Sequence, residues 1–243
     1  MFRFDNRMIY VILGVLVLSS LTTMTQSAIL NMLLTLPGVI IAITFHEFAH
    51  AYAAYKLGDD TAKMQGRLNL NPLSHIDPVG IILLIFAHFG WGKPVQINPR
   101  NFDRKYSMEK GEAIVSIAGP LMNFVLAIVF TIIYCALIKF GSIAFQISEI
   151  GIVVLTIIQA TIIVNIGLGI FNLIPVPPLD GSKIFRTLLP YNAKAWLDRN
   201  ERWFYIVFLV LWITGLAGYI ISPIINVVSD GIFWVIAKIF GIM

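Results

Sequence analysis

Apolar runs long enough to cross a lipid bilayer recur along this chain, and they restrict its fold more than any other feature. A span needs roughly 20 apolar residues, and candidate stretches lie at 8–23, 28–55, 114–138, 147–174, 203–221 and 223–240. Composition agrees: 58% of the 243 residues are hydrophobic and 12% charged, with a mean hydropathy of +0.85. A water-soluble domain with one core has no use for so much apolar surface. The expectation is an all-α membrane protein of about six transmembrane helices. The first stretch has the basic start and apolar middle of a signal peptide, but no Ala-x-Ala-like cleavage site follows it, so a retained helix is expected.

Charge orients these spans. With the N-terminus inside, Arg3, Arg7, the eight Lys/Arg from Lys56 to Lys110, the five from Lys183 to Arg202, and Lys238 share one side, leaving Lys139 opposite. The positive-inside rule then places the N-terminus and both long loops in the cytoplasm of a multi-pass cell-membrane protein. This topology accounts for the net charge of +4. No basic cluster is interleaved with stacking aromatics, so nucleic acid is excluded as a partner. The single cysteine, Cys135, rules out an intrachain disulfide and is expected as a small buried side chain. Without repeats or linkers, residues 1–243 read as one polytopic membrane domain. Its core is about 28–186, followed by C-terminal helices at 203–240.

The first cytoplasmic loop departs from the helical pattern. Polar and apolar residues alternate in Arg67-Leu68-Asn69-Leu70-Asn71 and again in Lys93-Pro94-Val95-Gln96-Ile97-Asn98, which predicts two short strands. The apolar stretch between them, 79–91, is too short for a span. The whole is expected as a short re-entrant or interfacial, β-hairpin-like segment.

The second stretch carries His46-Glu47-Phe48-Ala49-His50. Residues four apart on a helix differ by about 40° of rotation and 6 Å of rise, so both imidazoles can reach one ion. Glu47 projects beside them, placed to take a proton from the attacking water and return it to the leaving amine. Two of the four histidines fall in this motif, and ionisable groups inside a membrane helix are costly enough to survive mainly in functional sites. Catalytic zinc takes three protein ligands. His75, in a proline-rich loop, and His88, in the short apolar stretch, are poor third candidates. Asp180 is a better one. It follows Pro175-Val176-Pro177-Pro178-Leu179, where three prolines forbid a continuing helix. Unwound backbone at membrane depth is tolerated where it lines a cavity, and Gly181 permits a turn there.

Four segments together resemble a known family: His46 to His50, Gly66-Arg67-Leu68-Asn69-Leu70-Asn71-Pro72-Leu73, Ala118-Gly119-Pro120-Leu121-Met122-Asn123, and Asn172 to Gly181. The chain resembles the site-2 proteases, intramembrane zinc metalloproteases, over about 39–186. It looks like a minimal member, without a PDZ-like insertion or nucleotide-sensing domain. The resemblance implies one Zn2+ per chain held by His46, His50 and Asp180, with Glu47 as general base. It also implies that Asn172 steadies the substrate or the oxyanion.

The motif precedes Lys56 by 6 to 10 residues, which is about 9–15 Å along a helix. Hydrolysis is therefore expected inside the membrane toward its cytoplasmic face. The partners implied are the lipid bilayer and a transmembrane protein or peptide substrate. An unwound substrate segment is expected to add to an edge near 68–70 or 95–97. Asn123 and Asn165, together with Gly119, Gly167 and Gly169, are read as packing residues. Two other functions stay open on the residues alone: hydrolysis of a lipid amide or ester, which the same chemistry would attack, and a non-catalytic membrane protein with a structural metal.

Overall fold

The computed structural model describes residues 25–87 and 91–242; the first expected span and His88 lie outside them. Every regular element among the described residues is helical. In chain order these are α1 (Gln26–Lys56), α2 (Thr61–Met64), α3 (Pro72–His75), α4 (Pro78–Ala87), α5 (Met108–Phe140), α6 (Ile143–Ile147), α7 (Glu149–Asn172), α8 (Asp180–Arg186), α9 (Tyr191–Ile213) and α10 (Leu216–Ile239), with a 3-10 turn at Pro99–Asn101. Their starts follow from local chemistry. The hydroxyls of Thr25, Ser107 and Ser148 accept hydrogen bonds from the backbone N–H groups of Ala28, Lys110 and Gly151, capping α1, α5 and α7.

Among the described residues, four helices, α1, α5, α7 and α10, are long and apolar enough to cross a membrane. They present Leu33, Leu121, Val125, Ile152 and Val227 outward, a pattern that places lipid around the bundle. Helices α1, α5 and α7 pack on one another, and α10 lies against α7 and α5. The α5–α7–α10 seam is apolar, with Ala127, Ile158, Ile162 and Ile166 buried under Ile225, Val228 and Ile232. Cys135 is a free thiol, buried with Ile236 and Ala237. Close approach of α1 to α7 depends on Gly38, where a Cβ would lie 2.8 Å from the Thr161 Cα.

Three expectations change. The stretch 203–221 is not one helix: α9 ends at Ile213, Gly215 turns the chain with φ 75°, and Pro223 lies inside α10. Only a residue without a Cβ takes that conformation cheaply. Helix α9 has a polar first half, tied to the start of α5 through Lys194 and Glu109 (2.6 Å), and is not among the four apolar helices. Secondly, Lys238 does not lie on the opposite side from Lys139. The Lys139 ammonium donates to the Gly241 carbonyl (3.3 Å) and the Phe140 and Phe240 rings meet at 6.2 Å, so α5 and α10 finish at the same end. Thirdly, no strand forms at 67–71 or 93–98 among the described residues; an isolated antiparallel bridge joins Ile76 and Gly92.

The loop is ordered by side chains instead. Lys93 N–H donates to the His75 carbonyl (2.8 Å), and the Arg67 guanidinium donates to the Lys93 carbonyl (2.6 Å). Buried Asp59 accepts from Asn98 N–H (2.7 Å) and from the Asn101 amide (2.9 Å). Segment 93–98 is thereby drawn across the end of α1 without a ladder. Within the apolar stretch before it, Pro78–Ala87 form α4, whose ten residues make a helix of about 15 Å, half a bilayer core.

Candidate metal centre

His46 and His50 lie one turn apart on α1, and both are buried. Asp180 is the first residue of α8, just past the proline-broken chain. The three meet. His46 Nε2 is 3.0 Å from His50 Nε2, and Asp180 Oδ2 is 3.2 Å from the first and 3.1 Å from the second.

The hydrogen-bond chemistry of the two rings decides what this convergence means. His50 Nδ1 faces the Val115 carbonyl at 2.7 Å; a carbonyl only accepts, so Nδ1 carries the proton. His46 Nδ1 faces Asn123 Oδ1 at 2.7 Å and is likewise the donor. In neutral imidazoles both Nε2 atoms then present lone pairs. Two such lone pairs and a carboxylate oxygen within 3.0–3.2 Å of one another repel unless a cation lies among them. A tetrahedral ion with ligand bonds of about 2.0–2.1 Å has edges of about 3.3–3.4 Å. The observed triangle is close to one face of that tetrahedron, and its N2O donor set suits zinc.

Helix α5 supplies the back wall. Val115, Gly119 and Asn123 recur every fourth residue along one face, and Gly119 leaves no room for a side chain. A Cβ there would sit 2.5 Å from His50 Nε2 and 2.6 Å from His46 Cε1. Gly181 has a similar function at α8, where a Cβ would approach the Leu173 carbonyl oxygen to 2.3 Å. The glycine is required for close packing on the end of α7, not for a left-handed turn.

Glu47 follows His46 directly, and its Oε2 accepts a hydrogen bond from Val95 N–H at 2.9 Å. Segment 93–98 therefore touches the carboxylate expected to act as base. A cavity of about 220 Å³ lined by Val95, Ile97, Val115, Ser116, Glu112 and Lys183 adjoins it. Asn172 is not joined to the cluster by any hydrogen bond among the described residues; its amide donates to the Leu168 carbonyl of its own helix (3.1 Å). His75 is wholly buried and bonds the Asn69 carbonyl (2.8 Å), a loop-core residue apart from the triad. Gly119 and Asn123, read from sequence as packing residues, border the imidazoles directly. Their i, i+4 spacing, equal to that of the two histidines, was the available signal.

Comparisons with known proteins point to a zinc metalloprotease. The sequence profile of peptidase family M50 matches residues 34–215. YwhC of Bacillus subtilis (strain 168), named provisionally as a zinc metalloprotease, is 41% identical over 83% of this chain and 90% of its own length. Rip2 of Mycolicibacterium smegmatis, named in the same provisional way, is 31% identical over 75% of this chain and 67% of its own. Zinc metalloprotease MJ0392 of Methanocaldococcus jannaschii is 28% identical over 73% of this chain and 40% of its own. No solved structure gives a significant match.

Proposed function

The chain belongs to peptidase family M50, the site-2 proteases, and from that premise we propose that His46, His50 and Asp180 hold one zinc ion while Glu47 serves as general base. The protein is an intramembrane zinc metalloprotease. Its substrates are proposed to be membrane proteins cut in or near a transmembrane segment. The observation that carries the assignment of ligands is the meeting of three acceptor atoms, from residues 46, 50 and 180, at 3.0–3.2 Å.

When bound, zinc supplies Lewis acidity, making water a better nucleophile and polarising a carbonyl oxygen. The chain's own groups manage the proton. As the water oxygen bonds the scissile carbonyl carbon, Glu47 accepts the released proton; as the C–N bond breaks, it delivers that proton to the departing nitrogen. Val95 N–H on Oε2 fixes the carboxylate's orientation, and Oε1 is the oxygen assigned to the proton. Asn172 is assigned to steady the substrate or the oxyanion, which requires its amide to exchange the Leu168 carbonyl for the substrate.

A helical substrate hides its carbonyls in its own hydrogen bonds, so it must be unwound first. Segment 93–98 is proposed to receive the unwound strand. It is not helical, it touches Glu47, and Gln96 N–H has no partner among the described residues. Main-chain pairing of this kind selects peptides. The N-terminus and the long loops are proposed to face the cytoplasm, as the Lys/Arg distribution favours.

The test uses purified protein and a panel of single-span membrane peptides. Wild type and Glu47→Gln should both carry near-stoichiometric zinc, and only the wild type should cleave. His46→Ala and Asp180→Ala should lose the metal. Full zinc occupancy in Asp180→Ala would remove Asp180 from the ligand set.

A further inference from the structure

Two buried amides behind the zinc site bond in sequence to one of its ligands. Asn165 on α7 donates its Nδ2 to the Thr161 carbonyl (2.8 Å). A carbonyl has no proton to give, so the nitrogen of Asn165 must face Thr161 and its Oδ1 must face the other way. That oxygen receives a hydrogen bond from Asn123 Nδ2 (2.9 Å). The same nitrogen also donates to the Ala42 carbonyl of α1 (3.1 Å), so both Asn123 N–H groups are committed to atoms that only accept. Asn123 Oδ1 has a single remaining direction, toward His46 Nδ1 at 2.7 Å. Both asparagines have 0% exposure, and rotating either amide would set oxygen against oxygen in a place water does not reach.

We propose that Asn165 and Asn123 form a two-amide relay that locks His46 in the Nδ1–H tautomer and aims its Nε2 lone pair at the zinc. Both are positioning residues acting through His46. The proposal rests on the zinc-ligand assignment above and adds to it the parts that prepare one ligand before the metal arrives. An amide suits the local charge balance better than a carboxylate. A carboxylate at position 123 would add a charge at membrane depth, and an amide adds none. A partner on the second nitrogen of a ligating histidine fixes ring orientation, and its loss typically costs about 10–100-fold in metal affinity.

The experiment measures the zinc dissociation constant of purified, full-length protein in detergent by competition with a chelator. The visible spectrum of the Co2+-substituted protein is recorded alongside. Asn123→Leu, close in volume but without an acceptor, should weaken zinc binding by about 10–100-fold and alter the Co2+ ligand-field bands. Asn123→Asp keeps the acceptor toward His46 but sets its second oxygen against the Ala42 carbonyl and Asn165 Oδ1, so it should bind zinc more tightly than Asn123→Leu while staying below wild type. Asn165→Leu frees the Asn123 amide to rotate and should weaken zinc binding less, by about 3–10-fold. Added to Asn123→Leu it should cost nothing further, because the relay is already cut. Wild-type affinity in Asn123→Leu, with zinc lost in His46→Ala, would overturn the relay and leave the ligand assignment standing. Zinc retained in His46→Ala would overturn both. Should Asn123→Leu fail to fold, Asn165→Leu decides: unchanged affinity and spectrum would refute the relay.

Discussion

Replacing Gly119 with alanine adds one carbon 2.5 Å from His50 Nε2 and 2.6 Å from both His46 Cε1 and His50 Cε1. Ordinary contact begins at 3.4 Å, so the new methyl is too close by about 0.9 Å. The rings cannot simply retreat. His50 is held by the Val115 carbonyl and His46 by Asn123, each at 2.7 Å, so relief must come from turning an imidazole or parting α1 from α5. Either movement opens the 3.0 Å separation of the two Nε2 atoms. A misplacement near 1 Å costs on the order of 10²-fold in rate, equivalent to about 2.7 kcal/mol in the barrier. Helix formation itself does not suffer, since alanine is the better helix former by about 1 kcal/mol. Gly119→Ala should therefore fold, bind zinc more weakly in a chelator competition, and lose about 100-fold in kcat/KM on a single-span peptide. Gly167→Ala is the control, because its Cβ would meet only the flexible Ile225 Cδ1, at 3.4 Å. If both variants match the wild type in zinc affinity and cleavage, the two rings do not sit against α5 and the geometry argued above is wrong.

Gly181→Ala should displace α8 and with it Asp180, because its Cβ would meet the Leu173 and Ile174 carbonyl oxygens at 2.3 and 2.5 Å; a loss of at least about tenfold in zinc affinity is expected by chelator competition. Gln96→Pro should reduce cleavage about tenfold by removing an N–H from the proposed substrate edge, with zinc content unchanged and Gln96→Ala active; undiminished cleavage by the proline variant would dismiss that edge. Burial pushes the Asp59 carboxyl up, but hydrogen bonds from Thr61, Asn98 and Asn101 more than offset it, so its folded pKa lies below the ordinary 3.8. Its contribution is then complete above that value and lost as pH falls through the lower folded one; Asp59→Asn should lower Tm most at neutral pH, and the gap should close below about pH 4. Removing zinc should lower stability, read as a fall in Tm, by an amount that grows with the free zinc of the reference sample, about 2.7 kcal/mol at 100 times Kd.

Much of this arrangement is legible in the chain itself. The cores of α1, α5 and α7 follow from apolar length, the paired imidazoles from their i, i+4 spacing, and Asp180 from the prolines that must end a helix before it. What escapes is set by single atoms or by partners distant in sequence. Hydropathy is continuous through 203–221, so a window sees one span, whereas a single glycine with φ 75° divides it. Alternation in 93–98 reads as a strand, but it cannot reveal that the backbone bonds go to Glu47, Asp59 and His75 rather than to a neighbouring strand. Gly119 and Asn123 look like packing residues in any apolar helix; only the crossing of α5 over α1 shows that they touch the imidazoles.

That crossing has a consequence for how the ion comes and goes. The two imidazoles belong to one helix and their supports at Val115, Gly119 and Asn123 to another. Both rings are thus steadied from one neighbouring rod, while the carboxylate of Asp180 is borne by the separate short helix α8. If the three hold zinc as proposed, loosening α8 would withdraw one donor and leave the other two in place, and a chelator should strip the metal faster from Gly181→Ala than from the wild type.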